Sequence, residues 1–287
     1  MAFRLVHVVA VGLIGLAIVI VAGICAGGYC VRDARDADPT DRSTAIASFI
    51  NSIRPTDKNL SYPPQSNASP EEQALAYLID IDPAAIDAEE TKRLRQRYAL
   101  LSLLYHQSSN SDWEAEGWAS ALHECEWDEI SCEAHTVTKL SLCCDSLRGT
   151  IPEDLALLTA VTSFDLGGNF LTGPFPESLA QLTNLQQFFV GGNSLTGTLP
   201  ELHWPSLTVF DIHRNNLTGT VRLTQDKPIL KTALVHANQM SGELDLCPEQ
   251  RLVADCGEFS LCPCCGEYCC PNANLTECGE AHDRKAD

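Results

Sequence analysis

One spacing recurs through the middle of the chain, and few folds can accommodate it. Val161, Phe164, Leu166, Asn169, Leu171 and Gly173 stand at places 1, 4, 6, 9, 11 and 13 of a unit. The same places are filled by Leu185, Phe188, Val190, Asn193, Leu195 and Gly197, and then by Leu207, Phe210, Ile212, Asn215, Leu217 and Gly219. Less regular copies run from Val137 (Leu140, Leu142, Asp145, Leu147, Gly149) and from Leu230 (Ala233, Val235, Asn238, Met240, Gly242). Five units therefore cover residues 137–246. A period of this length marks architectures in which one turn of chain cannot bury its apolar face alone and must stack on its neighbours. A Leu-rich helical bundle is the competing reading. It fails because Gly and Pro recur where a helix needs continuity.

The places have distinct physical roles. The alternation over the first eight residues predicts a short strand whose fourth and sixth side chains enter the core. At the ninth place the chain turns. An Asn there can bond backbone groups of its own unit and of the next through its amide. Stacking is thus expected to build an Asn ladder from Asn169, Asn193, Asn215 and Asn238, with Asp145 as a departure at the first rung. The Gly at place 13 allows a tight turn, and Thr150-Ile151-Pro152, Pro174-Phe175-Pro176 and Thr198-Leu199-Pro200 follow it.

The pattern resembles the plant-type leucine-rich repeat, LxxLxLxxNxLxGxIPxxLxxLxx, with Leu155, Leu158, Leu179 and Leu182 in the tail positions. Upstream, Trp118, Cys125, Trp127, Ile130 and Cys132 resemble the N-terminal cap of that family, although Glu129 stands where the family has Gly. The resemblance implies a Cys125–Cys132 disulfide. It also implies an α/β repeat solenoid: a short right-handed arc closed by a helical N-terminal cap and a Cys-rich C-terminal cap. The kind of protein it suggests is a receptor-like ectodomain of algal or protist type without a kinase. Physically, caps are required because the end coils otherwise expose their apolar sides.

The formal net charge of −19 excludes nucleic acid, whose binders need a basic face, and disfavours an anionic lipid surface. Of fourteen cysteines, twelve lie after residue 120, which points to an oxidising compartment. Eight of them (Cys247, Cys256, Cys262, Cys264, Cys265, Cys269, Cys270 and Cys278) crowd the C-terminal segment 247–287. That density suits either a soft-metal cluster or a disulfide-stapled cap, and the export signal below favours the cap. The same segment resembles C-terminal caps of algal and protist repeat proteins. Cys143 and Cys144 fall at places 7 and 8 of the first unit. They could pair with each other, pair with a cap cysteine, or stay free.

Residues 5–27 are apolar enough for a membrane span and longer than an ordinary signal-peptide core. A transmembrane signal anchor is therefore expected, with a cleaved signal as the alternative. The body is then a single-pass lumenal or extracellular one, or secreted if cleavage occurs. Residues 28–68, polar and Pro-containing, read as a flexible linker. Residues 69–136 read as the helical cap. Ser69-Pro70-Glu71-Glu72 is a capping box that predicts a helix through Ile79, and Asp87 with Glu90 predicts the start of a second. Leu94, Tyr98, Leu101 and Tyr105 supply that second helix with one packing stripe. Asn59, Asn67, Asn216 and Asn274 head glycosylation triplets on one side of the apolar run.

No catalytic motif, phosphate loop, cofactor signature or metal-ligand spacing is present in the sequence. Function is then argued from the strand face opposite the core, which the resemblance makes concave. Its candidate ligand-binding residues are Asp165, Gln187, Phe189, Asp211, His213, Arg214 and His236. Asp165, Phe189 and Asp211 should form a row, with an exposed Phe as anchor. His213 and His236 should form a second row, able in principle to sense pH or hold a metal. The expectation is a non-enzymatic recognition module for a protein, peptide or glycan, acting through a membrane co-receptor because so little chain precedes the anchor. The alternative is a structural or inhibitory wall protein that blocks an extracellular hydrolase.

Overall fold

The chain divides into Met1–Pro39 and Thr40–Asp287. The computed structural model describes residues 39–107, 117–222, 230–243, 251–253 and 259–261. The apolar run 5–27, Asn274 and all eight C-terminal cysteines lie outside the described residues. Among the described residues no helix is long and apolar enough to cross a membrane.

Three helices come first: α1 (Pro39–Ile53), α2 (Pro70–Asp80) and α3 (Thr91–His106). Helix α2 begins where Ser69 accepts from the Glu72 N–H while the Glu72 carboxylate accepts from the Ser69 N–H. It buries Ala74, Leu75, Leu78 and Ile79. Helix α3 starts at Thr91, four residues after the predicted Asp87, because residues 82–90 form turns, with Glu90 Oε1 accepting from the Asp87 N–H. Its stripe is wider than predicted, since every residue from Gln96 to Leu104 is buried while Tyr105 stays half-exposed.

The expected flexible linker over 28–68 needs correction from Pro39 onward. Helix α1 buries Ile46 and Ile50 completely, and Leu60 lies in the same core. Two arginines then fasten this segment to the body. Arg42 donates to the carbonyls of Ile79 and Ile86 at 3.0 and 2.7 Å. Arg54 grips the buried Asp154 carboxylate at 2.9 and 3.2 Å, and Tyr98 of α3 donates to the same carboxylate at 2.9 Å. One buried anion on the tail of the first coil thus ties α1 and α3 to the solenoid. A buried charge persists only when paired and bonded in this way.

The join between helices and coils is a second buried ionic cluster. Arg97, fully buried, is bidentate on Asp82, reaches Glu124 at 2.9 Å, and lies 4.8 Å from the Trp127 ring centroid. Trp118 packs on Trp127 with centroids 5.0 Å apart. Cys125 and Cys132 are joined by a disulfide. Glu129 adopts φ 67°, the left-handed conformation that Gly takes freely and that Glu takes at a cost. The turn is therefore kept although the residue is changed.

The strands follow in chain order: β1 (Ile130–Glu133), β2 (Thr136–Ser141), β3 (Arg148–Thr150), β4 (Ser163–Asp165), β5 (Phe170–Pro174), β6 (Gln187–Phe189) and β7 (Ser194–Thr198). Then come β8 (Val209–Asp211), β9 (Asn216–Gly219), β10 (Thr232–Leu234), β11 (Gln239–Met240), β12 (Gly242–Glu243), β13 (Arg251–Val253) and β14 (Phe259–Leu261). They build a solenoid with two main sheets. The longer runs β1-β2-β4-β6-β8-β10-β13, antiparallel only at β1–β2. The second runs β11-β9-β7-β5-β3, all parallel, and β12 pairs β14 separately. Each full coil lends one strand to each main sheet.

Register stacks like places on like. Leu140, Phe164, Phe188, Phe210 and Ala233 line up at place 4, and all are fully buried. Phe164, Phe188 and Phe210 lie nearly parallel with centroids 5.5 and 6.2 Å apart, and Trp204 packs on Phe188 at 4.8 Å. The turn side is closed by the Asn side chains. Asn215 donates to Val190 O at 2.9 Å and Ile212 O at 3.1 Å, while its Oδ1 accepts from the Leu195 N–H at 2.9 Å. Asn169 and Asn193 repeat these bonds two coils and one coil earlier, and Asn238 one coil later. Asp145 is exposed at the first rung. No parallel coil precedes it, so the preceding-coil carbonyl and turn N–H that the later Asn side chains bond are missing there.

Removing the Asn215 amide takes the side-chain partner from the Leu195 N–H and leaves Val190 O and Ile212 O with one Asn donor each instead of two. Asn215→Ala should therefore cost about 3 kcal/mol in chemical denaturation. Asn216→Ala, one residue on but exposed, should stay within about 0.5 kcal/mol.

The contact between α2 and the end of α3 gives a pH dependence. His106 Nδ1 lies 2.7 Å from Ser102 O, and Nε2 lies 3.4 Å from Glu71 Oε1. The hydrogen bond from His106 holds the Glu71 carboxyl at about 2, against burial, which acts the other way. Burial also opposes charge on His106, but the bonds to Glu71 and Ser102 leave it raised. Glu71's share of stability is present above its ordinary 4.5 and lost as pH falls toward 2; His106's share is present below its ordinary 6.5 and lost on going alkaline. Glu71→Gln should destabilise most near pH 5.5, by about 1 kcal/mol in this partly exposed setting, and much less near pH 2 or pH 9. Urea melts at the three pH values measure this.

Candidate functional site

Places 4 and 6 of each coil point inward, so places 3, 5 and 7 point outward from the long sheet. Ladder register fixes which outward residues are neighbours. Ser141, Asp165, Phe189, Asp211 and Leu234 form one row, and Lys139, Ser163, Gln187, Val209 and Thr232 form another. Beyond the strands the ladder continues: Cys144 donates to Gly167 O, Gly168 to Gly191 O, Gly192 to His213 O and Arg214 to His236 O. Cys143, Gly167, Gly191, His213 and His236 therefore make a third row.

The sequence candidates fall as follows. Asp165 and Asp211 flank Phe189 on adjacent strands. Phe189 is half-buried, which corrects the expectation of an exposed anchor. Gln187 is exposed and lies within 3.4 Å of the Ser163 hydroxyl. His213 and His236 stack at 5.1 Å with 17° between their planes. Arg214 is exposed, on a left-handed backbone with φ 49°. All seven candidates thus lie along one face, with Arg214 at its turning edge.

Both carboxylates are partly engaged by their own chain. Asp165 Oδ1 accepts from the Gly167 N–H at 2.9 Å, and Asp211 Oδ1 accepts from the His213 N–H at 3.1 Å. Asp211 Oδ1 also lies 2.5 Å from His213 Nδ1. Burial pushes the Asp165 carboxyl up, and the Asp211 and Asp145 charges add to that, against the pull of the Gly167 N–H. Asp165 thus keeps part of its demand for a positively charged or hydrogen-donating partner.

Glycine shapes the third row. Gly167, Gly168, Gly191 and Gly192 carry no side chain across two coils, a glycine strip between Cys143 and Cys144 on one side and the two imidazoles on the other, with Gly191 itself buried. A Cβ on Gly191 would fall on His213 Nδ1 and within 2.6 Å of Asp211 Oδ1. The missing side chain is what lets the His213 ring lie over the floor against Asp211. Among the described residues no group of three or more His, Cys, Asp or Glu is placed to hold a metal ion. The imidazole pair, with one ring engaged by Asp211, does not make one.

One outward feature escaped sequence reading. Phe170 is 51% exposed on the second sheet, and the Arg148 guanidinium sits 4.2 Å from its ring centroid. These residues are register partners in β3 and β5, so their 22-residue separation was the available signal. Of the alternatives the sequence leaves open for Cys143 and Cys144, the structure brings the two to each other, with their sulfurs 2.8 Å apart.

Fold and face together define a repeat solenoid with one ordered, outward-facing parallel sheet. Residues 160–182 match the family model described as Leucine Rich Repeat, and the other coils repeat the spacing of that stretch. No curated protein sequence matches the chain. Among solved structures, the chain is similar to the BIR3–SERK2 complex from Arabidopsis thaliana, at 25% identity over 51% of this chain and 83% of that one, with a TM-score of 0.44. It is similar to the SOBIR1 receptor kinase ectodomain from Arabidopsis thaliana, at 22% identity over 52% and 82%, TM-score 0.44. It is also similar to the Arabidopsis HAESA ectodomain in complex with an IDA peptide hormone, at 22% identity over 53% of this chain and 26% of that one, TM-score 0.45.

Gly191→Ala tests the arrangement locally. It should displace the His213 imidazole from Asp211 and shift the His213 ring resonances in NMR, at a stability cost of about 1–2 kcal/mol. Unchanged His213 signals would contradict the placement.

Proposed function

We propose that this chain is a non-enzymatic recognition module, held outside the cytosol, that binds a protein, peptide or glycan on the outward face of its long sheet. The observation that carries this is the register-locked row Asp165–Phe189–Asp211 beside a strip of glycines. An aromatic ring between two carboxylates, on a sheet that does not reorganise, offers an apolar contact with charge selectivity at low ordering cost. The ligand that suits it carries a basic or strongly donating group next to an apolar one, or a sugar face with hydroxyl donors.

The disulfide between Cys125 and Cys132 supports an oxidising location. Exposure of Asn59, Asn67 and Asn216 leaves each accessible to glycosylation. A membrane anchor in residues 5–27, a C-terminal cap stapled by its eight cysteines and a membrane co-receptor complete the proposal. The chain would present or capture its ligand, and the partner would transmit the result.

The test is capture. The chain from Pro39 onward, produced through a secretory route, is screened against displayed random peptides and against a glycan array. For captured ligands, Phe189→Ala with Asp211→Ala should weaken binding roughly 30-fold or more, as loss of a binding hot spot does. Phe170→Ala, on the other sheet, should leave binding unchanged, and thermal melts confirm that both variants fold. Equal capture by the double variant and the wild type would sink the reading.

A further inference from the structure

Cys143 and Cys144 occupy places 7 and 8 of the first coil, where later coils have Gly167-Gly168, Gly191-Gly192, His213-Arg214 and His236-Ala237. Both are exposed, and their Sγ atoms are 2.8 Å apart, well inside ordinary contact between two sulfurs that share no bond. The other two cysteines among the described residues already share a disulfide.

The backbone brings the pair together. Place 8 is left-handed in every coil: φ is 69° at Cys144, 64° at Gly168, 68° at Gly192, 49° at Arg214 and 54° at Ala237. Two coils fill it with Gly, which takes that conformation freely. The first coil fills it with Cys, at a steric cost, and the left-handed turn swings the Cys144 side chain back toward Cys143. The Cys144 N–H is meanwhile fixed to Gly167 O at 3.0 Å, so the pair is anchored to the sheet.

We propose that Cys143 and Cys144 are bonded to each other as a vicinal disulfide, at one end of the glycine strip. The chemistry is thiol–disulfide exchange with a small disulfide oxidant of the oxidised-glutathione class. One cysteine thiolate attacks an oxidant sulfur, forming a mixed disulfide and expelling one oxidant thiolate. The second cysteine gives up its proton and attacks the protein sulfur of that mixed disulfide, expelling the second thiolate. Two cysteine thiols lose two protons and two electrons, and one oxidant disulfide becomes two thiols.

Partial burial, then the hydrogen bond to Cys144 and the Asp165 charge, push the Cys143 thiol up to about 12. A thiol so hard to ionise is a poor leaving group, which slows reopening of the bond by attack on Cys144. The ring spans adjacent residues, so it constrains the unfolded chain little and adds little stability in the loop-entropy account. Its consequence is local. It replaces two hydrogen-donating thiols by a rigid sulfur surface beside Asp145 and Gly168. That the surface touches ligand rests on the recognition reading above; the bond itself does not.

The experiment reads the bond without any ligand. The full chain, exported through an oxidising route, is acid-quenched, unfolded and alkylated before and after reduction, then cut with trypsin. Cleavage after Lys139 and Arg148 releases a peptide from Leu140 to Arg148 with these two cysteines and no other. The expected result is a peptide two hydrogens lighter than its dithiol form, carrying no alkyl group before reduction and two after. Two alkyl groups without reduction, or a link to a peptide holding another cysteine, would overturn the proposal. Loss of ligand capture with the bond present would instead fault the recognition reading alone.

Discussion

The side-chain amide at place 9 is the interaction on which the rest of the structure depends. A coil of this length ends its strand with carbonyls that point along the solenoid axis and an N–H on the turn that has no partner within the coil. Buried and unpaired, each would cost about 1–3 kcal/mol. One Asn amide meets both needs, donating to carbonyls of two coils and accepting from the turn N–H of the preceding one, as Asn193 does with Leu166 O, Val190 O and Leu171 N. The alternatives lack one half of this chemistry. Asp accepts only, which is why it is found at the first rung, where Asp145 faces solvent.

Once the turns are locked, the register of the long sheet is settled, and with it the outward rows. The stacked Phe164, Phe188 and Phe210 behind the sheet make a slip expensive, since a shift of one residue would exchange them for Ser163, Gln187 and Val209 or for Asp165, Phe189 and Asp211. The position of Asp165 beside Phe189 is thus set by contacts on the opposite side of the same strands. The helical cap adds a fixed end. Asp154, held by Arg54 and Tyr98, and Arg97, held by Asp82 and Glu124, fasten it by buried charge pairs.

Much of this was legible in the sequence because period alone encodes it. The coils, their inward places and the neighbours Asp165, Phe189 and Asp211 follow from counting residues. The capping box at Ser69 was equally local. Helix α1 was hidden by its mean polarity and flanking prolines, although Ile46, Phe49, Ile50 and Ile53 carry helical spacing. Contacts made by long side chains were not legible: Arg54 meets Asp154 across 100 residues, and no pattern in either segment announces it. The half-burial of Phe189 and the approach of the two thiols likewise depend on rotamers and on a left-handed turn, which a linear pattern does not specify.

The central claim is that the Asn ladder makes the long sheet a platform that opens only with the whole repeat body. Native-state hydrogen exchange at the Leu171, Leu195 and Leu217 amides, each bonded to an Asn Oδ1 of the following coil, tests it most directly. These amides are predicted to exchange only through global unfolding, with the same free energy as the place-5 strand amides. Exchange at the rate of exposed turns, while the strands stay protected, would contradict the account.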